Sequence, residues 1–411
     1  MKLTSSHAAL PCVASCFLVS MLGFLVETSA VSQDLCVEVY ELPQANAYAL
    51  QKVFLEGGIP DRLRVMDVLH SATPPSGVKL IAAAQCVSKS GTRVTFSSAK
   101  EYIYGIEFDA GQGTTVVVPT AFEMRTVGTE VEAELTGSQP QGLGFYLATV
   151  SVKSVDLTGK NPNPAAAGLV PIFISSDVVT NASMTAGVPC LLGMYAPHPD
   201  IRSGSVLRAV IATVPGPPAA GLATPQFDAC VEVYEMPSAM AAAFKQSFDT
   251  APEGARSGLL QQTRNKAAAG GLKTVAFGHR AFRSGVRSTC GSVKEFFYPT
   301  EFITPGNLAP ASSVMAKLGC QMELEITAAP TGQTFNVTTV FTDTERLSPV
   351  KDTALKPDAK GLPVKPVFST TNVNTTASIT SGIPAMLSMY ETVRGGGTSR
   401  LLFVTVHARE K

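Results

Sequence analysis

Residues 36–43 read CVEVYELP, and residues 230–237 read CVEVYEMP. Seven of the eight positions are identical, and Cys36 recurs as Cys230 at an offset of 194. Val37 and Val39 alternate with Glu38 and Tyr40, as a pleated strand requires, and Pro43 or Pro237 ends the run. The same offset carries Gly91 onto Gly285, Lys100-Glu101 onto Lys294-Glu295, Tyr104 onto Tyr298 and Glu107-Phe108 onto Glu301-Phe302. Loop insertions then shift it. Gly128 meets Gly319 at 191, with Glu132 and Glu134 meeting Glu323 and Glu325, and Phe173 meets Phe368 at 195. Gly187 with Gly382 and Tyr195 with Tyr390 keep that last offset. Collinearity over a whole unit is the mark of duplication.

The two copies span 31–214 and 227–411, separated by a linker at 215–226. That linker lies in the stretch VPGPPAAGLATPQ, whose prolines make it a semi-rigid spacer. Each copy is long enough to hold its own core, so separate expression of the two is expected to give two folded domains. After the opening strand comes one short helix. Ala47, Leu50 and Phe54 share a helical face, which Ala241, Phe244 and Phe248 repeat. Gly57-Gly58 stops the first helix, and Ser238 is placed to cap the second. Strands are expected at 78–87, 93–97, 131–135, 147–152, 181–185 and 206–214, with 401–406 closing the second copy. The fold class is therefore α+β, predominantly β: two tandem domains, each a mainly antiparallel sheet with one packed helix.

The ends and the composition set the compartment. Residues 1–30 read as a signal peptide, with Lys2, an apolar run at 12–26 and the small residues Thr28-Ser29-Ala30 before the expected cleavage. Cys16 loosely matches a lipobox, but the apolar run continues beyond it. Lys plus Arg and Asp plus Glu number 32 each, so no net charge favours nucleic acid. No later apolar run is long enough for a transmembrane helix, and the absence of Trp leaves a membrane barrel short of girdle residues.

Four motifs resemble those of one family. They are the Ser-Gly turns at Ser90-Gly91 and Ser284-Gly285, the stretch KEFFYPTEF at 294–302, FEMRTVG at 122–128, and PVFST at 366–370 followed by ASITSG at 377–382. Together they resemble the C-terminal homology domain of bacterial secretins, the ring-forming proteins of type II and type III secretion and type IV pilus systems. The stretch at 294–302 closely resembles the one found in secretin-like proteins of the Verrucomicrobia and Planctomycetes group. The likeness runs through most of each copy and implies the family's fold in two degenerate repeats. The intervals Ala196–Val206 (APHPDIRSGSV) and Glu391–Arg400 (ETVRGGGTSR) are too short for the family's gate hairpins and lack their signature.

Chemistry-bearing constellations are sparse. Of the six cysteines beyond the signal, Cys36, Cys86, Cys190, Cys230, Cys290 and Cys320, only Cys36 and Cys230 are equivalent. Cys36 with Cys86 and Cys290 with Cys320 are candidate disulfides in an oxidising compartment, against buried thiols as the alternative. Ser97-Ser98-Ala99-Lys100 matches an acyl-enzyme pattern, but that chemistry needs a helix and the segment reads as strand. Glu132 with Glu134 and Glu323 with Glu325 each share a strand face, which is the pattern of a solvated surface. His7, His70, His198, His279 and His407 make no metal-spaced pair, and Arg394-Gly395-Gly396-Gly397 is a turn without a following helix. No catalytic, cofactor-binding or metal site is expected.

The expectation is a non-enzymatic, exported structural or interaction protein of the cell envelope, periplasmic or outer-membrane-associated. It would be a secretin-like scaffold or accessory component without a gated pore. Its partners would be proteins of an envelope or secretion assembly, including further copies of itself, and not nucleic acid. The alternative is a soluble exported carbohydrate- or peptide-binding β-module.

Overall fold

The computed structural model describes residues 32–110, 117–137, 144–161, 170–197, 206–216, 227–304, 307–330, 333–347, 367–392 and 397–408. The signal segment, linker residues 217–226, and 198–205 and 393–396 of the two short intervals lie outside them. The first copy opens with β1 (Ser32–Pro43) and the helices α1 (Gln44–Glu56) and α2 (Ile59–Leu69). It continues through β2 (Lys79–Lys89), β3 (Arg93–Ala110), β4 (Val117–Gly137), β5 (Phe145–Asn161), β6 (Val170–Thr185), β7 (Cys190–Tyr195) and β8 (Val206–Thr213). The second copy repeats that order. It comprises β9 (Phe227–Pro237), α3 (Ser238–Thr250), α4 (Glu253–Ala268), β10 (Lys273–Phe282), β11 (Val286–Thr304), β12 (Asn307–Ala328), β13 (Thr334–Arg346), β14 (Phe368–Thr380), β15 (Ala385–Glu391) and β16 (Thr398–Ala408).

These strands form two antiparallel sheets of eight, and each copy gives four strands to each sheet. The first runs β15-β16-β9-β10-β7-β8-β1-β2, the second β14-β13-β12-β11-β6-β5-β4-β3. Between the sheets lies one apolar core, to which Val37, Val39, Val210 and Val231 contribute from the first sheet and Val131, Leu135, Val150 and Leu324 from the second. Burying such side chains contributes about 1.5–3 kcal/mol each. The helices cover the other face of the first sheet. Ala47, Leu50 and Phe54 of α1 are buried as their spacing predicts, and Ala241 and Phe248 of α3 repeat the contact. The predominantly β, α+β class holds.

Three finer expectations are corrected. Each copy holds two helices, not one. The second helices are hard to read because α2 buries only Met66 and Leu69, and α4 only Leu260, Thr263 and Ala267. Each copy also divides its strands between two sheets. Finally, Ser238 caps nothing: it is the first residue of α3, its N-cap position is Pro237, and its hydroxyl meets that of Ser399 at 2.9 Å.

The duplication extends to irregularities. A register shift at Val39/Tyr40 recurs at Thr274/Ala276 on the partner strand of β9, and one at Leu191/Gly193 recurs at Met386/Ser388. Gly128 and Gly319 hold φ of 137° and 125°. A Cβ on Gly128 would sit 2.3 Å from the Ser98 carbonyl oxygen, so only glycine permits that approach. Beyond these glycines the long hairpins leave their neighbours, since β4 pairs with β5 only from Gly128 onward and β12 with β13 only from Gly319.

Candidate assembly edges

The copies meet strand to strand in both sheets. In the first, Gly278, His279 and Arg280 of β10 lie opposite Tyr195, Met194 and Gly193 of β7. In the second, Thr289 to Glu295 of β11 lie opposite Val179 to Phe173 of β6. Side chains close the seam. Arg125 of β4 donates to Ser175 Oγ at 3.0 Å and to the buried Glu295 carboxylate, which also accepts from Ser175 at 2.7 Å. Tyr104 packs its ring 5.4 Å from Phe173 and 5.6 Å from Phe297 of the second copy. On the helix side Tyr48 of α1 reaches across to the ring of Phe277 at 5.5 Å, and the Arg264 guanidinium stands 5.8 Å over the Tyr48 ring. Arg264 meanwhile holds Glu232, which is 1 % exposed, at 2.9 Å.

Buried charge shapes the seam as well. Arg280 is fully buried and reaches Ser288 Oγ at 3.4 Å. Burial pushes the nearby Asp177 carboxyl up, with Arg280, Lys317 and Lys153 pulling the other way. His279 lies 3.3 Å from Asp228, both almost fully buried.

Strands that meet inside the chain have equivalents with one side left open at the ends of the sheets. β2 corresponds to β10 and β3 to β11, while β14 corresponds to β6 and β15 to β7. β2, β3, β14 and β15 end their sheets. Burial follows pairing. Every residue of β7 is buried and none of β15 is. Met194 is 0 % exposed but Met389 39 %, and Phe297 is 8 % exposed but Ile103 65 %. β14, of sequence FSTTNVNTTASIT, has neither charge nor proline to blunt its open side.

Each copy also ties its two sheets together with a buried arginine. Arg208 of β8 donates to Asp156 of β5 at 2.8 Å and stands 3.6 Å from Glu41 of β1. Its equivalent Arg400 bonds Glu235 at 2.6 Å and pairs with Asp343 and Glu345. Sequence reading passed over both arginines, although each sits in an apolar closing strand where a lone charge is a signal.

The residues singled out from the sequence fall into structural roles. None of the six cysteines is in a disulfide, so Cys36 with Cys86 and Cys290 with Cys320 stand as thiols; burial pushes Cys230 and Cys320 well up, which leaves them poor nucleophiles. Ser97 and Lys100 are exposed on β3, so no helical turn brings them together. Glu132 and Glu134 face Arg93 at 3.9 and 3.8 Å, and Glu323 and Glu325 face Arg287 at 2.7 and 3.6 Å, on the outer face of the second sheet. His70 bonds Glu38 at 2.9 Å, whereas His7 and His198 fall outside the described residues. Among the described residues no group of three His, Cys, Asp or Glu is arranged to hold a metal. No described helix is long and apolar enough to cross a membrane.

Gly193 tests the seam. A Cβ there would lie 2.7 Å from Val178 Cγ1 and 3.2 Å from the His279 carbonyl oxygen. Gly193→Val is expected to destabilise the fold by about 1–3 kcal/mol through overpacking. Ser388→Val, at the equivalent open position, should stay within about 0.5 kcal/mol. Urea melts of the two variants check the difference.

No family model, no curated protein and no solved structure matches this chain.

Proposed function

We propose that this chain is an exported structural protein of the cell envelope, a secretin-like scaffold or accessory component without a gated pore. The observation that carries the reading is the joining of the two copies by shared sheets, with like edges left open at the ends. A protein built this way spends its polar chemistry on packing and pairing, not on a reaction centre. The motifs that resemble the secretin domain have that use. Tyr104 of β3 and Phe297 of the KEFFYPTEF stretch pack across the seam, Arg125 of FEMRTVG bonds across it, and Phe368 of PVFST receives Phe296 and Tyr298 at 6.4 and 5.5 Å. In the second copy the interval between β15 and β16 is drawn tight by Thr392 N–H donating to the Thr398 carbonyl at 3.0 Å. A hairpin able to block a channel has no room in such an interval.

Cell fractionation and bilayer recording test the reading together. The full chain is expected in the envelope fraction, and the purified protein is expected to give no large, stable conductance in planar lipid bilayers. Recovery from the cytoplasm would remove the envelope role. Stable channels with a heat-resistant multimer would restore a pore.

A further inference from the structure

Resting on the scaffold reading, we infer that the partner of the open edges is a second copy of this chain, docked head to tail so that the seam within the chain is repeated between chains. The occupant follows from continuity with the internal seam. β10 is received by β7 and β11 by β6, and the strands equivalent to each pair stand open at opposite ends of the same sheets. Carrying the register across places Ala84, Gln85 and Cys86 of β2 opposite Tyr390, Met389 and Ser388 of β15 in the neighbour. It places Thr95 to Glu101 of β3 opposite Asn374 to Phe368 of β14. Nothing in this pairing sets like charges face to face, and no proline falls in it. Ile103, left exposed, then comes under Tyr298 of the neighbour, as Phe297 lies under Tyr104 within the chain. The contact is heterologous, so one docking leaves the same two ends open for the next.

The seam between chains differs chemically from the one within. Arg280 and Asp177 correspond to Cys86 and Asn372, Arg125 to Ala316, Tyr48 to Ala242, and Arg264 to His70. The buried arginine contacts of the inner seam therefore have no outer counterpart, and an assembly comes apart between chains before it parts within one. Single chains are the unit that exchanges.

Cysteine cross-linking on the full chain tests both the partner and the register. Ser97 and Asn372 are exposed and correspond to Gly291 and Asp177, which are directly opposite within the chain. Under mild oxidation, S97C/N372C is expected to give a ladder of covalent species at integer multiples of the chain mass. A mixture of the S97C and N372C single variants should stop at the dimer. Sedimentation of the unmodified chain should show concentration-dependent masses at the same multiples. Monomers at every concentration with no cross-linked ladder would overturn the inference, as would linkage of S97C only to itself, which is an isologous contact. An intramolecular S97C–N372C bond would overturn it too, since the chain would then close on itself. Failure of this inference and failure of the scaffold reading are distinguishable: channel formation by a cross-linking chain sinks the pore-free scaffold, and a monomer without channels sinks only the self-docking.

Discussion

Replacing Arg400 by alanine is expected to lower the stability of the chain by about 3–5 kcal/mol, the cost of leaving buried carboxylates without their cation. Arg400 sits between the sheets, 4 % exposed, and faces Glu235, Asp343 and Glu345 at once. Tyr390 adds a hydrogen bond to Asp343 at 3.1 Å, so the group is shared by β9, β13, β15 and β16. Arg400→Met should recover little, because the loss comes from unpaired charge and not from lost volume. Acid gives a second readout. Burial alone would raise the Glu235 carboxyl, but Arg400 and Lys273 hold it below its ordinary value. A lowered folded-state pKa means stability that is present above the unfolded value and lost as pH falls through the folded one. The native chain should therefore lose stability below about pH 4.5, the ordinary glutamate value. Arg400→Ala should flatten that part of the profile. Urea melts across pH 3–7, a range spanning about the carboxylate titrations, measure both effects. An Arg400→Ala variant within about 1 kcal/mol of the parent would show that the network is solvated and not buried.

The sequence made the repeat, the class and the first helices legible because each depends on local pattern. CVEVYE is a strand in both copies, and the Ala47, Leu50 and Phe54 face is buried. Strand length was not legible. Residues 93–97 extend to β3 and 131–135 to β4, because the polar–apolar alternation fades where apolar side chains also stand on the exposed face of the hairpin, as Ile103, Phe122 and Met124 do. β7 escaped notice because LLGMY lacks alternation: its residues are covered by α1 on one side and the second sheet on the other. The sharing of sheets between copies could not be read at all, since a repeat reveals likeness and not which edges touch. Two traces of it were present. Gly193 stands where the second copy has Ser388, and β14 lacks any charge, so the joined and open versions of an edge differ in side-chain size and polarity.

Cutting the chain within 217–226 is expected to leave the two halves bound to each other when they are made together. Each half made alone should be unstable or self-associated. The linker suggested two domains that merely follow one another, and each half does bring its own helices and four strands to each sheet. What a lone half lacks is its seam. The second half alone would expose Arg280 and the Glu295 carboxylate, and it would lose the cover that Tyr48 gives Phe277. The first half alone would uncover β7, buried along its whole length, together with the ring of Phe173. Open edges next to exposed apolar surface recruit other strands, so aggregation or homodimers should replace the monomer. Co-expressed fragments 31–216 and 227–411 should instead co-elute one to one and melt in a single transition near that of the intact chain. Restoring contact should rescue a half that fails by itself, which separates loss of the seam from a damaged fragment. Should each half prove monomeric and melt like the intact chain, the seam contributes little and the copies are independent domains that happen to touch.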